Sequence, residues 1–136
     1  MSYAVSPALQ AAVFQRLWAS EALRALVGTG IFDAAPIGTV SGTYVTLGPE
    51  DVRDRSDKSG AGAEHDFVIT VVSDAAGFQF AKSVAAEVSD SLQSAPLSLS
   101  RGRVVGLWFL RAAARRADKG ALRRVDLTFR ARVEDN

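Results

Sequence analysis

The segment RVDLTFRARV, residues 124–133, alternates between an apolar set, Val125, Leu127, Phe129, Ala131 and Val133, and a polar set, Arg124, Asp126, Thr128, Arg130 and Arg132. Successive side chains of a β-strand point to opposite faces, so this period of two predicts a strand with one face in a core and the other in solvent. Upstream, residues 103–116 contain VVGLWFL, which is apolar on both alternating faces. A strand of that composition needs cover on both sides. Ala117 to Gly120 supplies the turn that joins the two as a hairpin.

Two shorter β-rich segments precede this hairpin, Thr43–Leu47, ended by Gly48-Pro49, and Asp66–Val72. Between them Glu50 to His65 is polar and holds too little apolar surface to be core, so residues of about 49–65 are expected to form a mobile loop. Ser73 or Asp74 can cap a helix whose apolar face is Ala81, Val84, Ala85, Val88 and Leu92, and Pro96 follows its end. At the N-terminus Ser6-Pro7 starts another helix, with Leu9, Val13 and Leu17 in one row and Phe14 and Trp18 in the next. That arc is wide enough to cover a sheet and touch a second subunit, or to lie deep in its own core. A short turn through Leu23 and Leu26 stops at Gly28 and Gly30, and the stretch from Ile31 to Gly42 reads as a loop. The order α-β-β-α-β-β predicts an α+β fold: a four-stranded antiparallel or mixed sheet with helices on one face.

With 136 residues the chain has the length of one domain, expected to span residues 1–136. Cys is absent, which excludes disulfides, thiolate metal sites and cysteine nucleophiles and makes a cytosolic origin the default expectation. Neither a membrane span nor a secretory leader is expected. The formal net charge of +1 conceals an asymmetry: residues 1–100 carry 6 Lys/Arg against 11 Asp/Glu, whereas residues 101–136 carry 10 against 4.

Catalytic and metal-binding patterns are not found. His65, the only histidine, has no partner at metal-ligand spacing and reads as a surface residue. Asp51, Asp54 and Asp57 are interleaved with Arg53, Arg55 and Lys58, which suits a charge-compensated loop rather than a calcium loop. Gly60-Ala61-Gly62 and Lys58-Ser59 lack the flanking elements of phosphate-binding loops, and no serine has a base beside it. Glu87 and Asp90 lie one turn apart on a polar helix face, as solvated decoration would. Nine of the thirteen arginines fall after residue 100. Their planar forks suit phosphate as well as carboxylate, so a small Arg-rich nucleic-acid-binding protein is the alternative reading. An acidic portion and a basic portion on one chain also suit head-to-tail contacts between copies.

Taken together, the segments resemble the tail terminator, or tail completion, family of long-tailed bacteriophages and phage-like gene transfer agents. The resemblance rests on the N-terminal helix running into Leu26 to Phe32-Asp33, the Pro36 loop, the Tyr44-Val45-Thr46-Leu47-Gly48 strand, the passage from Phe67 to Leu92 and the basic hairpin from Arg115 to Val133. It implies a non-enzymatic, cofactor-free structural subunit that forms a hexameric ring, caps the tail tube, ends its polymerisation and joins the tail to the neck or head connector. The implied partners are copies of the chain, the major tail tube protein and the connector protein. DNA would pass through the ring without specific binding, and no membrane is involved. Assembly would take place in the bacterial cytoplasm, and the final location would be the tail-neck region of the particle. The expected subunit or tube interface comprises Arg111, Arg115, Arg124, Arg130, Arg132 and Trp108. The expected partner-ordered loop contains Asp51, Arg53, Asp54, Arg55 and Asp57.

Overall fold

A computed structural model describes residues 3–135 apart from Thr39 and Ser59. Ser59, expected near the tip of the polar loop, therefore lies outside the described residues. The elements in chain order are α1 (Ser6–Ala19), α2 (Glu21–Val27), β1 (Ile31–Phe32), β2 (Thr43–Asp54), β3 (Ala61–Ser73), α3 (Gln79–Gln93), β4 (Arg103–Ala117), a 3-10 turn (Asp118–Gly120) and β5 (Leu122–Asp135). The described strands form one sheet in the order β1-β2-β3-β5-β4, parallel between β1 and β2 and antiparallel elsewhere. Because β3 and β4 both run opposite to β5, the connection through α3 links two parallel strands and β5 fills the gap between them.

The core lies between the helices and one face of the sheet. Leu9, Val13 and Leu17 of α1 and Val84, Val88 and Leu92 of α3 pack over Ile69, Val71, Leu127 and Phe129, all of which are buried. The apolar row of α3 and the alternation of β5 are thus as the sequence predicts, because burial on one face imposes the period. α1 divides its wide arc: the Leu9 row is buried, while Phe14 and Trp18 stack on each other at 6.1 Å along the rim.

Five expectations are corrected. The sheet has a fifth strand, β1, inside the stretch expected as a loop; it is two residues long, fixed by burial of Ile31 and by the bond from the Val45 amide to the Gly30 carbonyl. Gly48-Pro49 does not end β2. It forms a bulge between Leu47 and Glu50, where Pro, having no N–H, interrupts the ladder without stopping the strand. The polar segment is consequently a paired hairpin for most of its length, with Asp51, Arg53 and Asp54 on β2 and only the tip left to Arg55 and Asp57. Helix capping also differs: Ser6 donates to Glu50, Ser73 and Asp74 tie the β3 exit to Thr43 and Gly42, and neither α1 nor α3 has a side-chain cap.

The fifth correction concerns His65, which is fully buried on β3. Its Nδ1 lies 3.0 Å from Glu50 Oε2 across the hairpin, while Nε2 has no partner among the described residues. Tyr3 and Ser6 donate to the same carboxylate, at 2.6 and 2.9 Å, and so bind the N-terminal segment to the hairpin. Burial pushes the Glu50 carboxyl up, but the bonds from Tyr3, His65 and Ser6 together hold it below its ordinary value. An ionised carboxylate only accepts, so Nδ1 carries the proton.

Glu50→Ala leaves that N–H buried and unpaired and is expected to cost about 2 kcal/mol in urea denaturation. Glu50→Gln, whose amide oxygen still accepts, should recover part of the loss.

Candidate assembly surface

Among the described residues, the opposite face of the sheet carries no helix. Residues paired across antiparallel strands share a face, so the pairs Trp108 with Arg130, Arg111 with Thr128 and Arg115 with Arg124 lie together there, and Gly106 pairs Arg132 onto it. All six residues expected at an interface therefore meet on one surface. On β2 and β3 the same surface holds Asp51, Arg53, Glu64 and Asp66, since Asp51 pairs with Asp66 and Arg53 with Glu64.

Most of these charges neutralise one another. Arg130 donates to both oxygens of Asp66, Nε at 2.8 Å and Nη2 at 3.0 Å, and Arg53 Nη2 reaches Glu64 at 2.7 Å and Asp66 at 3.1 Å. The result is a chain of alternating charge running across β2, β3 and β5. At the other end Asp126 accepts from Thr70 at 2.7 Å and Arg124 at 3.0 Å, and Arg115 approaches it at 3.3 Å. Among the described residues Arg111 and Arg132 have no hydrogen-bond or ion-pair partner. The sequence did not point to Glu64 and Asp66, although a carboxylate two positions from another on a strand beside Arg130 is the signal that could have found them.

The hydrogen bonds from Arg130 hold the Asp66 carboxyl below its usual value against a smaller upward push from burial, and those from Arg53 do the same for Glu64.

β4 forms the edge of this surface. Two bulges interrupt it, between Val104 and Gly106 and between Phe109 and Arg111, and the extra residues Val105 and Leu110 are exposed. Trp108 and Phe109 are each about half exposed, at 48% and 47%, on opposite faces. The expectation that this strand is covered twice is thus not met within the chain. The bulges explain the misleading pattern, since each shifts the alternation by one residue and merges two faces into one apolar run. The Trp108 ring lies so close over Gly106 that a Cβ there would sit 2.5 Å from it, so the glycine provides the seat for the indole.

The chain matches the model of the tail completion protein gp17 family over residues 11–134. It belongs to that family. A solved chain from the "virion of native gene transfer agent (GTA) particle" is similar at 67% identity, with a TM-score of 0.91 and coverage of 98% of this chain and 99% of that one. No curated protein matches the sequence. Family membership and this likeness support a structural role in tail assembly.

A carboxyl whose folded pKa lies below its unfolded one adds stability that is complete above the unfolded value and is lost as pH falls through the folded one. Asp66→Asn is expected to cost about 1 kcal/mol at pH 7. Its deficit relative to the parent should shrink as pH drops below about 4, measured by urea denaturation at stepped pH.

Proposed function

We propose that the chain assembles as a ring on the end of a finished tail tube, stops further tube growth and offers its other side to the neck or head connector. The observation that carries this reading is the unfinished edge strand. Val105, Trp108, Phe109 and Leu110 are exposed side by side on a strand flanked by arginines, and exposed aromatic and aliphatic side chains beside arginine are the composition of interface centres. Family membership and likeness to a chain of a gene transfer agent virion give that surface its setting.

Within the surface the roles divide by partner. Arg53, Arg115, Arg124 and Arg130 are engaged with carboxylates of their own chain and set the shape of the face. Arg111 and Arg132, which are unengaged, and Trp108 are the groups offered to a neighbour. The same pairing weighs against the nucleic-acid reading, since a guanidinium fork held by Asp66 is not available to phosphate. DNA would pass the ring without specific contacts.

Trp108→Asp combined with Arg111→Glu is expected to leave the isolated fold intact, because both side chains lie outside the core. Particles made with this variant should show over-long or headless tails by electron microscopy. Particles of normal tail length with heads attached would overturn the reading.

A further inference from the structure

The helix layer is narrower than the sheet it covers. α1 and α2 lie over the β1 and β2 side, α3 lies over β3 and β5 and reaches only part of β4, and the rest of β4 extends past it. On the helix side of β4, Phe109 pairs with Phe129, Ala112 with Leu127 and Ala114 with Val125, so these residues continue the core face of β5. Val104 and Leu107 near the start of the strand are packed against the core, but from Phe109 onward the face borders an open groove of about 410 Å³ beside α3. Lys82 stands on the rim of this groove.

At the far edge of the molecule the opposite feature occurs. α1 turns Arg16 toward the end of α3, where it donates to the carbonyls of Ser91, Ala95 and Pro96. Phe14 and Trp18, two positions to either side of Arg16, lie about 200° from it around the helix and face away from α3. Phe14, partly buried against the core, and Trp18, 40% exposed, form an apolar ridge that continues through Ala11 and is bordered by Asp33.

We infer that copies of this chain join head to tail, the Phe14–Trp18 ridge of α1 in one copy covering the bare helix side of β4 in the next. The contact supplies the helix that β4 lacks and buries both apolar features. It also brings Asp33 on the ridge toward Lys82 on the groove, in keeping with the acidic first portion and basic last portion of the chain. The surfaces that meet are different ones, so the contact repeats and can close into a ring. Strand addition to the β4 edge is disfavoured because the two bulges break its row of hydrogen-bonding groups. The inference rests on the ring reading above and specifies which surfaces make the ring.

Cys is absent from the chain, so Ala11→Cys and Ala112→Cys each create a unique thiol, on the exposed side of α1 and of β4 respectively. Particles built from both single variants together, treated with a short bis-maleimide, should yield a dimer linked through residues 11 and 112. The double variant should yield a ladder of multimers, and adding Trp18→Asp should reduce the linked fraction about tenfold. Linkage of residue 112 to residue 112, or no 11-to-112 product in particles that contain the chain, would overturn the inference while leaving the tail role standing. Particles with no copy of the chain at the tail end would instead overturn the tail role. The purified chain at high concentration then decides the contact: an 11-to-112 product supports it, and its absence overturns it.

Discussion

The feature on which the rest of this structure depends is a shortage of cover. Apolar sheet surface is stable only when water is kept from it, and each helix shields a band about 10 Å wide, roughly two strands at 4.8 Å spacing. With α1 and α2 on one side and α3 over β3 and β5, the described helices reach β4 only in part, and its face from Phe109 onward is left open. Topology sets the shortage: the connection through α3 places β4 beyond β5, at the margin of the sheet.

The helix-free face is managed by charge. In isolation, surface ion pairs contribute little, but here Glu64 and Asp66 are mostly enclosed, with side chains 12% and 18% exposed, and Glu64 is shared among Arg53, Arg55 and Arg130 and Asp66 between Arg53 and Arg130. Sharing fixes the rotamers of Arg53 and Arg130, and a face of fixed shape loses less conformational entropy when something docks on it. The arginine surplus of the last third therefore serves two ends: part of it neutralises acids from the middle of the chain, and part remains for a neighbour.

How far the sequence reveals this depends on the distance over which each determinant acts. β5 and α3 were legible because a one-sided core imposes a period of two on Val125 to Val133 and of about 3.6 on Ala81 to Leu92. β1 was not, since two residues cannot display a period. The outer half of the β2–β3 hairpin reads as a loop because its strand positions hold Arg53 and Glu64, which are stabilised by cross-strand charge rather than by burial. His65 was read as a surface residue because the group that permits its burial, Glu50, stands fifteen positions earlier. Of the six residues expected at an interface, alternation alone assigns Arg124, Arg130 and Arg132 to one face; Trp108 and Arg111 share it only because of the bulge between Phe109 and Arg111, which no period in the sequence displays.

The position of β5 governs how the chain can be made. Its pairing partners, β3 and β4, are both synthesised before it, yet they touch each other only through it. Until residues 122–135 leave the ribosome, the nascent chain has two open sheet edges and no continuous core. The sheet cannot close before residues 122–135 are made, and a message cut short before Leu122 gives a product that lacks its middle rather than its margin, the kind of fragment that aggregates.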